Sequence, residues 1–172
     1  MDQLTVDKVT LGDVEQLQII GRDTFIETFS AVNTEENMKN YLEGSFSTTK
    51  LMEEVANEDS QFYFAVLDGG VVGYLKINTG QAQTELKEDH GLEIERIYVQ
   101  KAYHGKNVGQ FLYEKALAVA GALGASYVWL GVWERNAKAI RFYTKNGFVP
   151  FDKHIFKLGD DEQTDIMMKK TL

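Results

Sequence analysis

The chain contains no cysteine. Disulfides, thiolate metal ligands and cysteine nucleophiles are therefore excluded together, and the absence fits a reducing cytosol, so a cytoplasmic location is expected. Histidine is scarce: His90, His104 and His154 stand apart without metal-ligand spacing, and no metal is expected. No apolar run approaches the length of a membrane span, and the N-terminal segment MDQLTVDKVT does not read as a signal peptide. No membrane partner is expected. Positive charge is also in deficit. Lys and Arg number 18 against 26 Asp and Glu, a formal net charge of −8. That argues against a nucleic-acid surface, which needs clustered Lys and Arg. It suits a cationic small substrate, although a solvated acidic surface explains it more simply.

What is present is enough for a core. A chain of 172 residues suits one domain, taken here as 1–172. An apolar share of 44% and a charged share of 26% place it among soluble globular proteins.

Residues 4–9 alternate weakly and read as a short strand. Thr10 is a good helix N-cap, with Asp13 as a weak capping-box acid. Val14, Leu17, Gly21, Phe25 and Phe29 then share a helix face. Thr34 starts a second helix with Met38, Tyr41 and Leu42 on its apolar side. Thr48 or Thr49 starts a third through Leu51, Met52 and Val55. The period then changes to that of strands in QFYFAVL (61–67) and VVGYLKI (71–77). Asp68-Gly69-Gly70 between them tolerates the positive φ of a tight hairpin. A polar, acidic loop follows to Gly91.

The stretch from Leu92 to Leu123 organises the rest. It begins as a strand, passes through a basic, glycine-bearing loop, and enters a helix. The helix carries Val108, Phe111, Leu112, Ala116, Val119, Ala120 and Leu123 at the spacing of one buried face. A strand feeding a loop that opens a helix offers free backbone N–H groups and a positive dipole end to an anion. The loop lacks the G-x-G-x-x-G and the second-strand acid of a dinucleotide site, and no G-K-[ST] closes it as a phosphate loop. What remains is a cradle of amides from Gly105 to Gln110 with Lys106 nearby, or a turn that uses glycine for geometry alone.

SYVWLGV (126–132) is a further strand, and 134–146 a helix ended by Asn146-Gly147, a good left-handed C-cap. Residues 148–158 and 163–170 close the chain as strands, with Pro150 at a strand start. The order β-α-α-α-β-β-β-α-β-α-β-β predicts an α/β (α+β) domain. Its sheet is mixed and mostly antiparallel, with about seven strands and helices on both faces.

The run N-x-x-A-x-x-F-Y-x-x-x-G-F from Asn136 to Phe148, at this distance after the loop, resembles the GNAT superfamily of acetyl-CoA-dependent N-acetyltransferases. The resemblance covers nearly the whole chain. The runs SQFYFAV, LEIERIYV, WLGVWERN, DTFIETF and GDDEQTDIMMKKTL look like bacterial spermidine/spermine N-acetyltransferases within it.

The resemblance implies the GNAT fold and acetyl-CoA as co-substrate. In the family's Q/R-x-x-G-x-G/A loop, His104 holds the Gln/Arg position, Asn107 the first Gly and Gly109 the second; the first two depart from the pattern. Asn is the non-glycine residue best suited to a left-handed backbone. The implied cofactor residues are Ile97, Tyr98 and Val99 along the pantetheine arm, then His104, Gly105, Lys106, Asn107, Val108, Gly109 and Gln110 in the cradle. Asn136, Ala139, Tyr143 and Lys145 add to them from the next helix. Asn136 also suits a helix N-cap, and the two roles are compatible.

Tyr143 is the implied general acid, returning a proton to the departing thiolate, against the alternative of a core tyrosine beside Phe142 and Phe148. Glu93 and Glu95 lie two apart on a strand and share a side unless a bulge intervenes. Either could take the amine's proton, with Glu95 nearer the reacting carbonyl; an exposed edge carboxylate paired with Arg96, and a water as base, are the alternatives. The N–H of Ile97 or Val99 suits the oxyanion. Without a nucleophile elbow, direct attack in a ternary complex is the simpler mechanism.

On the acceptor side, Phe25, Phe29 and Tyr41 could line a slot for a methylene chain, and Glu27 or Asp160-Asp161-Glu162 could meet a distal ammonium. Ordinary core packing and a solvated turn are the respective alternatives. The leading expectation is a polyamine such as spermidine or spermine as acceptor. A protein N-terminus, a lysine or an aminoglycoside is the second, and a non-catalytic acyl-CoA-binding module the third. A homodimer through the closing strands is a further expectation.

Overall fold

Asp68 and Gly69 take φ of 50° and 84° in the computed structural model, which describes residues 3–172. The reading of the N-terminal segment as no leader begins at Met1 and Asp2, which lie outside the described residues. The two positive-φ residues close the hairpin between β2 (Ser60–Leu67) and β3 (Gly70–Thr79), as their side chains allow. β1 (Leu4–Lys8) pairs with β2, and β4 (Gly91–Val99) with β3, all antiparallel. β5 (Tyr127–Trp133) runs parallel to β4, and the closing hairpin of β6 (Val149–Leu158) and β7 (Asp161–Thr171) adds on through β7. Among the described residues the 7-stranded sheet has the order β1-β2-β3-β4-β5-β7-β6, and β4–β5 is its one parallel pair. Pro150 sits on the edge strand, where a missing N–H leaves the ladder intact.

The helices begin where the caps stand. The Asp13 carboxylate accepts the Thr10 N–H at 2.9 Å before α1 (Val14–Phe29). Thr34 Oγ1 accepts from Asn37 N to open α2 (Glu35–Ser45), and Ser47 Oγ from Lys50 N to open α3 (Thr48–Ala56). α4 (Val108–Ala122) starts at Asn107, and α5 (Ala137–Lys145) starts three residues later than the sequence pattern predicts. Its cap is Asn136, whose side chain accepts from Ala139 N at 3.1 Å.

Helices cover both faces. α4 and α5 pack Leu112, Ala116, Ala120 and Tyr143 onto Leu75, Ile94, Val128 and Leu130. α1, α2 and α3 pack Leu17, Ile20, Leu42 and Leu51 onto Phe62, Phe64 and Tyr74 of the other face. Truncating a side chain as closed in as Leu112 to alanine costs about 2–5 kcal/mol. The predicted α4 face needs one correction. Phe111 and Leu123 are 45% and 58% exposed, and Tyr113 is buried in their place. Met52 of α3 also points outward.

Candidate active site

β4 carries a bulge. Lys76 lies opposite Arg96 and Ile77 opposite Ile94, so Glu95 is the extra residue. The bulge resets the alternation. Leu92, Ile94, Ile97 and Val99 all reach the α4 face, which strict alternation across residues 92–99 forbids, while Tyr98 packs on the α1–α3 face.

Beyond the bulge the sheet opens. β4 and β5 pair only from Gly91–Tyr127 to Ile94–Leu130, and the rest of β5 pairs with β7 alone. The separation leaves a cleft of about 330 Å³ through the sheet. Ile97, Asn136, Ala139 and Tyr143 line it on the α4–α5 side. Phe25, Phe29, Tyr41, Phe46 and Phe156 line it on the α1–α3 side. Phe25 stacks on Tyr41 with centroids 4.5 Å apart and rings inclined by 9°. Phe29 and Tyr41 each meet Phe156 at 5.9 Å.

Tyr143 is buried against Phe142 and Phe148 and also faces the cleft. Burial, with Tyr98 and Tyr113 adding to it, pushes its phenol well above the ordinary tyrosine value.

Glu93 and Glu95 share one donor: Asn78 Nδ2 reaches Glu93 Oε1 at 3.0 Å and Glu95 Oε1 at 2.8 Å. Glu95 also meets Lys76 Nζ at 2.9 Å and Arg96 Nε at 3.3 Å, and Lys76 meets Glu54 at 2.8 Å. Burial alone would raise the Glu95 carboxyl, but Arg96 and Lys76 outweigh it and hold the group below its ordinary value. The Glu95 oxygens, those of the preferred base candidate, are thus engaged by Lys76, Arg96 and Asn78. Glu93 is pushed the other way by burial, against hydrogen bonds from Thr84 and Asn78. Its oxygens accept from Thr84 N at 2.8 Å and Thr84 Oγ1 at 2.6 Å.

The loop after β4 turns through two left-handed residues and leaves backbone amides free at the start of α4. Gly105 and Asn107 take φ of 81° and 63°, so Asn107 adopts the left-handed backbone its type favours. The first α4 amide with a helical partner is that of Phe111, donating to Asn107 O at 3.2 Å, and the amides of residues 108–110 precede it. Gly73 lets the strand end approach: a Cβ there would stand 2.7 Å from Tyr98 O. His104 does not offer its Nε2 to a ligand, because that nitrogen donates to Val99 O at 2.8 Å. Lys106 rests its ammonium over the Tyr103 ring. Lys145, in the last turn of α5, does not reach the cleft lining.

Two acceptor-side expectations are also corrected. Glu27 points to the loop, where its carboxylate accepts the Lys101 N–H at 3.2 and 3.3 Å. Asp160 accepts from Asn37 Nδ2 in an exposed turn, and residues 160–162 are absent from the cleft lining. The anionic groups that do line it, besides Glu93 and Glu95, are Glu85 and Asp165. The β6–β7 register brings His154 opposite Asp165, which no local motif announces.

The parallel strand couple β4–β5 thus splays beside a helix start whose first amides lack helical partners. The chain belongs to the GNAT acetyltransferase family, whose model matches residues 23–148. It is an N-acetyltransferase with acetyl-CoA as co-substrate. An uncharacterized N-acetyltransferase in the pepI 3' region of Lactobacillus delbrueckii subsp. lactis is 41% identical over 172 residues, covering 100% of this chain and 99% of that one. A spermidine N(1)-acetyltransferase of Thermoplasma acidophilum is 25% identical over 171 residues, 97% of this chain and 96% of that one. The crystal structure of PaiA N-acetyltransferase from Thermoplasma acidophilum, in complex with coenzyme A, superposes with a TM-score of 0.81 at 24% identity, over 99% of each chain. That likeness carries the fold.

Proposed function

We propose that the protein acetylates a primary amine of a polyamine such as spermidine or spermine, by direct attack on acetyl-CoA in a ternary complex. The observation that carries this reading is the division of one cleft into two halves. The α4–α5 half is lined by Ile97, Asn136, Ala139 and Tyr143. The α1–α3 half has stacked aromatic rings and carboxylates. Among the relatives, a spermidine N(1)-acetyltransferase of Thermoplasma acidophilum supports the same choice of acceptor.

In this reading the amides of residues 105–110 hold the pyrophosphate. The β4 backbone past Ile94, which lacks a strand partner on the β5 side, pairs with the pantetheine arm beside Ala139 and Asn136. The amine nitrogen bonds to the thioester carbon, and the carbon–sulfur bond breaks. Tyr143 gives its hydroxyl proton to the departing sulfur, and the second proton that the nitrogen sheds in becoming an amide returns to the Tyr143 oxygen through water. The amine must lose its own proton, and an alkylammonium titrates near ~10.4. Both Glu93 and Glu95 already accept hydrogen bonds, so we assign that proton to water, in the negative field of the two carboxylates. Phe25, Phe29, Tyr41 and Phe156 enclose the methylene chain.

The test is acetylated product and thiol release from acetyl-CoA with a panel of polyamines, monoamines and peptides. Turnover on spermidine supports the reading. Turnover on peptides alone overturns it.

A further inference from the structure

The aromatic slot ends on the β6–β7 hairpin, at polar side chains that the acyl transfer itself does not use. Gln163 and Asp165 are two apart on β7, and their cross-strand partners are Phe156 and His154. All four line the cleft, and Phe156 belongs to the α1–α3 side, so the set stands on the acceptor half. Gln163 is 7% exposed, and its Oε1 is buried without a hydrogen-bond partner. The other end of that amide, Nε2, donates to Asp161 at 3.4 Å, which turns the bare oxygen away from the turn. A buried acceptor left bare costs about 1–3 kcal/mol, so a donor is missing here. Asp165 lies against Gly131, where an added Cβ would be 3.7 Å from its Oδ2; the absent side chain leaves the carboxylate open along β5. Glu85 completes the rim, with its carboxylate on His154 Nδ1.

We infer that Gln163 Oε1 and the Asp165 carboxylate bind the distal ammonium of a diamine or polyamine whose other end is acetylated beside Tyr143. A donor-only cation is what a bare carbonyl oxygen and a half-buried carboxylate both lack, and the ring of Phe156 next to them suits the methylene approach. Burial raises the Asp165 carboxyl and His154 opposes that, and a bound ammonium favours its ionised form further. The subsite rests on the reading of the cleft as an amine acetyltransferase site.

Putrescine and n-butylamine share a carbon chain and differ in the distal ammonium, so they isolate this contact. The wild type is expected to show a putrescine KM about tenfold or more below that of n-butylamine. Asp165→Asn raises the putrescine KM about ten- to a hundredfold, and Gln163→Met raises it less. Both change n-butylamine kinetics far less than putrescine kinetics, and circular dichroism of each variant reports correct folding. Asp165→Glu restores part of the preference. Calorimetry of putrescine binding to the CoA-loaded protein reads the same contact without turnover. Binding that Asp165→Asn abolishes, in a protein that acetylates neither amine, overturns the reaction and upholds the subsite. Equal KM values for the two amines, or equal effects of Asp165→Asn on both, overturn the subsite and leave the reaction standing. Neither binding nor turnover overturns both.

Discussion

The Lys76 ammonium and the Glu95 carboxylate lie 2.9 Å apart beneath the β4 bulge. Lys76 is also held by Glu54, and its side chain is only 7% exposed. Removing one member of such a set strands a buried charge. Lys76→Met is therefore expected to destabilise the fold by about 3–5 kcal/mol in chemical denaturation. A loss under about 1 kcal/mol would mean that the set is solvated.

The same pair sets an acid dependence. The Glu95 carboxyl is depressed below its ordinary value of 4.5, with burial opposing and Arg96 and Lys76 prevailing. A depressed carboxyl contributes stability above the unfolded value and loses it as pH falls through the folded one. The stability gap between wild type and Lys76→Met should be full above about pH 5 and narrow steadily below pH 4. Denaturant titrations across that window measure it, and a constant gap would contradict it.

Tyr143→Phe keeps the ring contacts with Phe142 and Phe148 and removes only the hydroxyl. Activity should fall about a hundred- to ten-thousandfold, with the acetyl-CoA KM near that of the wild type. Because burial raises the phenol, its acid form persists, and the wild-type rate should show no alkaline fall up to about pH 10. An unchanged rate in the variant, or an alkaline limb near pH 9, would remove Tyr143 from the chemistry.

Asn107 stands at φ 63° at the N-terminus of α4. Glycine adopts that backbone without cost, whereas a β-branched residue pays about 1–2 kcal/mol. Asn107→Gly should keep or lower the acetyl-CoA KM, and Asn107→Val should raise it several-fold. Equal KM values in the two variants would separate the cradle from the loop backbone.

Glu27→Ala should leave every acceptor KM unchanged, since the carboxylate caps the Lys101 N–H. Its expected effect is a stability loss of about 0.5–1.5 kcal/mol by thermal melting. A selective rise in polyamine KM would return Glu27 to the acceptor site.

Much of this molecule is legible in the chain because its signals are local. Asp68-Gly69 specifies the hairpin, Thr34 and Asn136 specify helix starts, and the α1 periodicity from Val14 to Phe29 is matched by the buried face. The helical spacing of Phe25, Phe29 and Tyr41 is matched by the contact of their rings. What escaped depends on partners distant in sequence. The bulge at Glu95 arises from how β4 lies on β3, and Lys76 and Glu54, which occupy its carboxylate, carry no motif. Phe111 has the helical period of a core residue yet falls outside the sheet's footprint. Gln163 and Asp165 look like ordinary closing-strand residues until strand register aligns them with Phe156 and His154.

The most direct measurement is mass-spectrometric detection of acetylated spermidine formed from acetyl-CoA by purified wild type and Tyr143→Phe, with thiol release followed in parallel. Stoichiometric N-acetylspermidine and free CoA are expected from the wild type, and at most about a hundredth of that rate from the variant. Thiol release with peptides but none with spermidine, or equal rates from the two proteins, would contradict it.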